Sequence, residues 1–181
     1  MKKNKILWIA QTAVCLALLV VFQAVTKPMG TLVTGSAVNF ILITATLVCG
    51  LWGGLIVALV SPFLAFLLGI VAMPIYLVPA IAVGNASLVV VYGLLLKSAE
   101  KLKGIGKYVT WLVTVAVAAV VKYGVLYGVI KGLIGGLINS LVEQALKTPA
   151  ALFSTQQMIT AAIGGALAML VVPAVLKAIK K

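Results

Sequence analysis

Lys122 is the residue whose chemistry stands out first. It sits in "AVVKYGVLYG", residues 119–128, in the middle of a long apolar run. A charged side chain at the centre of a bilayer costs about 3 kcal/mol or more, so it has a partner or a purpose there. Three readings fit the sequence. Lys122 snorkels to the outer interface, it pairs with Glu143 of an outer loop, or it meets an anionic or polar solute in an outward-facing pocket. Tyr123, Tyr127 and Lys131 follow at four-residue steps and share a stripe, with Lys122 about 100° away on a neighbouring face. Aromatic rings beside a cation suit a flat, partly polar organic ligand. Asn39, Asn85, Gln156 and Gln157 are the other polar side chains available to such a pocket, and for Asn39 and Asn85 a structural hydrogen bond serves equally well.

The rest of the composition removes whole classes of chemistry. The chain of 181 residues has no histidine and two acids, Glu100 and Glu143. Zinc or iron sites need clustered His, Cys, Asp or Glu. Intramembrane hydrolysis and proton coupling need carboxylates or imidazoles. None of these sets can be assembled, so neither a metal, a cofactor nor an enzymatic activity is expected. No Gly-rich loop is followed by Lys-Ser or Lys-Thr, which excludes ATP binding in the P-loop manner. Cys15 and Cys49 both fall in apolar runs and read as small packing residues.

Only 9% of residues are charged and 64% are hydrophobic, whereas a soluble domain carries roughly 25% charged residues. This predicts an all-α integral membrane protein with a single domain. The formal charge is +12, all from lysine. The lysines flank apolar spans, so they read as topogenic charge and not as a nucleic-acid surface. With about 20 apolar residues per span, six transmembrane helices are expected in one bundle, at about residues 6–26, 37–51, 53–72, 75–97, 108–134 and 158–179. "CGLWGG" supplies the break between the second and third, and Ser61-Pro62 is expected to kink the third. Placing both termini in the cytoplasm puts ten lysines inside and two, Lys27 and Lys147, outside. That is a strong positive-inside bias.

Two helices carry small-residue faces. In the first span Ala10, Ala13, Ala17 and Ala24 lie on one side, where another helix could approach closely. Ordinary packing within the chain is the alternative. In the fifth span Gly124, Gly128, Gly132 and Gly136 recur every four residues and are expected to make a tight internal contact. Gly50 and Gly54 repeat the spacing at the turn.

These features together resemble the substrate-binding S component of an energy-coupling factor (ECF) transporter. The likeness covers nearly the whole chain. It rests on Ala13-Val14-Cys15-Leu16-Ala17 as an AxxxA pattern, on "GTLVTGSAVNFILITATLVCGLWGGLIVALVSP" as a first loop, second helix and glycine turn, and on the length and span pattern. The resemblance implies a subunit of an ATP-driven importer for a vitamin or related micronutrient, in a bacterial cytoplasmic membrane. Its partners would be a membrane-embedded coupling subunit, docked through Ala13 and Ala17, and two cytoplasmic ATPases. The solute would sit in the outer half, closed over by a lid at about residues 27–38. The rival from another class is a structural or assembly membrane protein that binds only partner helices. A channel would need a polar stripe through several helices, and the inner halves are nearly all apolar.

Overall fold

The computed structural model describes residues 5–71, 73–99, 104–134 and 150–179. Every described element is helical: α1 (Lys5–Thr26), α2 (Thr31–Leu67), α3 (Val78–Ala99), α4 (Ile105–Gly128) and α5 (Ala150–Ile179). Short 3-10 turns cover Lys27–Met29 and Ile75–Leu77, and α4 runs on as a π-helical stretch, Val129–Ile134. Five of these helical segments are long and apolar enough to cross a membrane.

The 37 residues of α2 do not form one rod. At Gly50 the backbone adopts φ 81°, ψ 176°, a region that only glycine visits without strain. The chain reverses there. A methyl group on Gly54 would stand 3.0 Å from the Cα atom of Thr46, although eight residues of straight helix span about 12 Å. The far ends agree, because Lys27, just before α2, donates from Nζ to the carbonyl of Gly69, just after it, at 3.2 Å. α2 is therefore a helical hairpin with arms at residues 31–49 and 51–67, as the glycine break in the sequence predicts. The second arm stays helical through Pro62.

Around this hairpin the helices form a closed set. The two arms of α2 pack against α1, α3 and α5, and α4 closes the group by packing on α3 and α5. The core is built from Leu19, Leu42, Val57, Leu88, Tyr92 and Trp111, with Ala118, Ala161 and Ala168 where helices approach closely. Tyr92 and Trp111 meet edge to face, their ring centroids 6.3 Å apart. Cys15 and Cys49 are buried and not joined as a disulfide, with sulfurs 3.9 Å apart between α1 and α2. They pack as the sequence suggests.

Three expectations need correction. The segment at 27–38, expected as a lid loop, is a single 3-10 turn followed by helix from Thr31. Pro28 sits in that turn and Gly30, at φ 93°, ends it, which leaves no length for a mobile loop. The last helix starts at Ala150, ahead of the span placed at about 158–179, and it buries Ser154 and Thr160 among its polar residues. Among the described residues the glycine stripe of α4 makes no tight contact: none of them lies within 4 Å of where a Cβ would stand on Gly124, Gly128 or Gly132. Gly136 and Glu143 lie outside the described residues.

The tight glycine contacts are elsewhere. A methyl on Gly54 would meet Thr46 and Val89, and one on Gly164 would meet the backbone of Ser36 and Phe40. α5 and the first arm of α2 thus touch backbone to backbone. Such an approach needs a residue with no side chain on one of the two helices.

α1 buries Thr12, Cys15 and Leu19 against α2, while Ala10, Ala13, Ala17 and Ala24 are exposed. The alanine face is not used for packing among the described residues. α1 is also fastened to the hairpin near both of its ends. Trp8 donates from Nε1 to the carbonyl of Cys49 at 2.7 Å, and Lys27 reaches Gly69 beyond the other end.

Candidate functional site

Lys122 occurs well along α4, flanked by Ala118, Ala119 and Leu126, all buried. Its own exposure is 1%, so it does not snorkel. The side chain points between helices instead of along the lipid-facing side, and Nζ donates to Asn39 Oδ1 at 2.7 Å and to Asn85 Oδ1 at 2.9 Å. Asn39 in turn donates from Nδ2 to Thr160 Oγ1 at 3.1 Å. Thr160 passes its own hydrogen to the carbonyl of Gln157 at 3.0 Å.

The cluster draws one side chain from each of four helical segments: Asn39 from the first arm of α2, Asn85 from α3, Lys122 from α4 and Thr160 from α5. Buried polar groups of this kind are stable only when each finds partners. Amide oxygens are suited to a lysine nitrogen, since they accept while that nitrogen donates. No acid lies among the described residues, so the cluster holds no carboxylate from them.

Directly beside this cluster is a cavity of about 180 Å³. It is bounded by the end of α1 (Gln23), the start of α2 (Thr31, Thr34, Gly35, Val38), the second arm of α2 (Ser61, Pro62), the start of α3 (Val78, Ile81, Asn85) and the start of α5 (Phe153, Gln156, Gln157, Thr160), with Val71 and Met73 from the connection before α3. Residues 31, 34, 35 and 38 recur at the spacing of one helix face. A helix stripe thus stands where the lid loop was expected. Asn85 and Thr160 belong both to the cavity wall and to the lysine cluster. The cavity floor is therefore tied to Lys122 without Lys122 lining it.

The candidate residues read from the sequence divide accordingly. Lys122, Asn39 and Asn85 come together in one hydrogen-bonded unit. Asn85, Gln156 and Gln157 line the cavity. Tyr123 and Tyr127 do neither: their rings stack on each other, 2° from parallel with centroids 6.0 Å apart, on a more exposed side of α4. The four-residue spacing that aligns them on one stripe also turns them away from Lys122.

Sequence reasoning missed Ser61, Thr160, Thr34 and Gln23. Ser61 had a visible signal, a hydroxyl in the middle of an apolar span, but its neighbour Pro62 drew attention to backbone shape instead. Thr160 sits one helical turn beyond Gln157, inside the last expected span, where a lone threonine carries no signal of its own.

A second groove runs between the end of α1, the start of α2 and α5, lined by Phe22, Val33, Phe40, Ile163, Leu167 and Val171 among others. Ser36 is the one polar residue on its walls, and its hydroxyl is spent on the carbonyl of Leu32 at 2.7 Å. It has nothing with which to orient a polar solute.

Comparison with known proteins finds no matching family model, no matching curated protein and no matching solved structure.

Proposed function

We propose that this protein captures a small organic solute from outside the cell membrane, as the S component of an ECF-type importer does, and hands it to partner subunits that hydrolyse ATP. The observation that carries the reading is the cavity at one end of the bundle, walled by apolar and neutral polar side chains and backed by the buried lysine cluster. Four helices contribute to that cluster, more than packing alone calls for at a site that burial makes costly.

In this reading each arm of α2 is one span, giving six crossings with both termini in the cytoplasm. The lysine distribution supports that orientation. The cavity then opens near the outer surface, because α1 ends there and α2, α3 and α5 begin there. The exposed alanine face of α1 supplies the docking surface, centred on Ala13 and Ala17, for a coupling subunit. Small side chains let two helices approach closely in lipid, where dispersion contacts replace the hydrophobic effect.

The two surfaces are expected to separate by mutation. Ala13→Trp and Ala17→Trp should lower solute uptake by at least about tenfold when the chain is expressed with its coupling and ATPase subunits, a loss of about 1.4 kcal/mol or more in docking. Binding of solute to the isolated chain should be unchanged. Normal uptake accompanied by lost binding would contradict the assignment of this face. Mass spectrometry of the denatured, purified protein should also reveal a co-purified small molecule. A chain that carries none, and that accumulates nothing when joined with coupling subunits, is better described as an assembly protein.

A further inference from the structure

Building on the capture reading, we infer that the cavity offers hydrogen-bond donors, set in place by Lys122 acting through Asn85, and that it takes the oxygen end of its solute, a carboxylate or a carbonyl, while turning cations away.

The argument begins with the direction of each hydrogen bond. An ammonium has three N–H groups and no lone pair, and a neutral amine still has two N–H groups. Both contacts of Lys122 with amide oxygens are thus donations in either state. They fix which way round the two amides sit. Asn39 is then fully committed, with its oxygen on Lys122 and its nitrogen on Thr160. Asn85 is not. Its oxygen is held by Lys122, and its Nδ2 has no partner among the described residues. Asn85 lines the cavity, so the group it has left to offer a solute is an N–H donor.

Ser61 adds an independent observation from a different helix segment. Hydroxyls inside the helices of this protein usually turn back onto the carbonyl four residues earlier, as those of Thr12, Ser36, Thr44, Thr46, Thr110 and Thr114 do. Ser61 is 1% exposed and lines the cavity, yet its Oγ has no hydrogen-bond partner among the described residues. A buried hydroxyl left unpaired is costly and marks a missing partner. An oxygen acceptor placed between Ser61 and Asn85 would satisfy both. A cation in the same position would meet the N–H of Asn85 and find no carboxylate among the described residues.

Lys122 is a positioning residue in this account. It touches no solute, but it determines which face Asn85 shows.

Three probes that share one ring and differ in head group test the inference: benzoate, benzamide and benzylammonium, each at millimolar concentration with the full chain in lipid nanodiscs. Benzoate or benzamide is expected to bind and to raise the unfolding temperature, with benzylammonium at least about tenfold weaker. The order of the first two tells whether a charged or a neutral oxygen is preferred. Asn85→Asp keeps an oxygen for Lys122 and replaces the N–H by a carboxylate oxygen. It should hold or raise thermal stability, weaken the oxygen-bearing probes by at least about tenfold, and bring benzylammonium ahead of them. A merely structural role for Asn85 would not reverse the order. Should Asn85→Asp fail to fold, Ser61→Ala serves instead, with a loss of about threefold to tenfold expected for the oxygen-bearing probes.

Equal or tighter binding of benzylammonium to the parent chain overturns the inference. So does binding of none of the three, or an unchanged order in Asn85→Asp. The capture reading fails separately. A chain that prefers benzoate but never assembles with coupling subunits keeps the donor face and loses the importer role. A chain that concentrates solute with those subunits yet prefers benzylammonium does the reverse.

Discussion

Lys122→Ala is expected to lower the stability of the folded protein by several kcal/mol. The side chain is 1% exposed, so its removal leaves a void. Truncations that open such voids cost about 2–5 kcal/mol in well-packed interiors. Two amide oxygens, on Asn39 and Asn85, also lose their donor, at about 1–3 kcal/mol for each buried group left unpaired. Together these terms rival the whole stability of a typical domain. Thermal unfolding in nanodiscs, followed by the fluorescence of Trp8, Trp52 and Trp111, measures the effect. A midpoint within a degree or so of the parent would show that Lys122 reaches water and that the cluster is not as described. A lysine that merely snorkels could be truncated at little cost.

The companion experiment separates stability from function. Replacing Lys122, Asn39 and Asn85 together by leucine removes every partner at once, so no polar group of that trio remains unpaired. Exchanges of buried polar clusters for apolar side chains are often neutral or stabilising. The triple variant should therefore recover most of the stability lost by Lys122→Ala, while binding no oxygen-bearing solute. A triple variant as unstable as the single one would mean that shape, and not hydrogen bonding, dominates at this position.

Gly164→Val is the second substitution with a large expected effect. A bare Cβ at Gly164 would already lie 2.7 Å from the carbonyl oxygen of Ser36 and 2.8 Å from both the amide nitrogen of Phe40 and Cβ of Asn39. Two of those atoms belong to backbone, which cannot rotate aside as the end of a flexible side chain can. The helices must part, and the Asn39–Thr160 hydrogen bond, one turn away, opens with them. A loss of at least about 3 kcal/mol is expected, at the upper end for overpacked interiors. Gly124→Ala and Gly128→Ala should behave oppositely, since no described residue lies within 4 Å of a Cβ at either position. There alanine should be neutral or stabilising by up to about 1 kcal/mol, through helix propensity alone. The same unfolding measurement compares all three. A destabilised Gly128→Ala would restore the α4 glycines to a packing role.

These two sites show what could and could not be read from the chain. The helical architecture and the turn at Gly50 were legible because both depend on local pattern: long apolar runs, and a glycine cluster interrupting one of them. The importance of Lys122 was legible because a lone charge in an apolar run is visible without any partner. Its partners were less so. Asn39 and Asn85 lie 83 and 37 residues away, and only the packing of α2, α3 and α4 determines that their oxygens face one nitrogen. The glycines were misjudged for a related reason. Four-residue spacing describes one helix, whereas close approach is a property of two. Gly164 has no glycine at that spacing, only Ala168, and it faces backbone. Gly124, Gly128 and Gly132 have the spacing and meet no described residue within 4 Å.

The two fastenings of α1 to the hairpin carry a mechanical consequence. A helix held only in its middle can swivel against its neighbour, but one pinned near both ends transmits tilt. Any reorientation imposed on α1 through its alanine side must travel into both arms of α2, which bring Thr34, Gly35 and Ser61 to one wall of the cavity. The opposite wall belongs to α3 and α5. A push on the outermost helix would then shift one wall of the cavity relative to the other, like a hand on a hinged jaw.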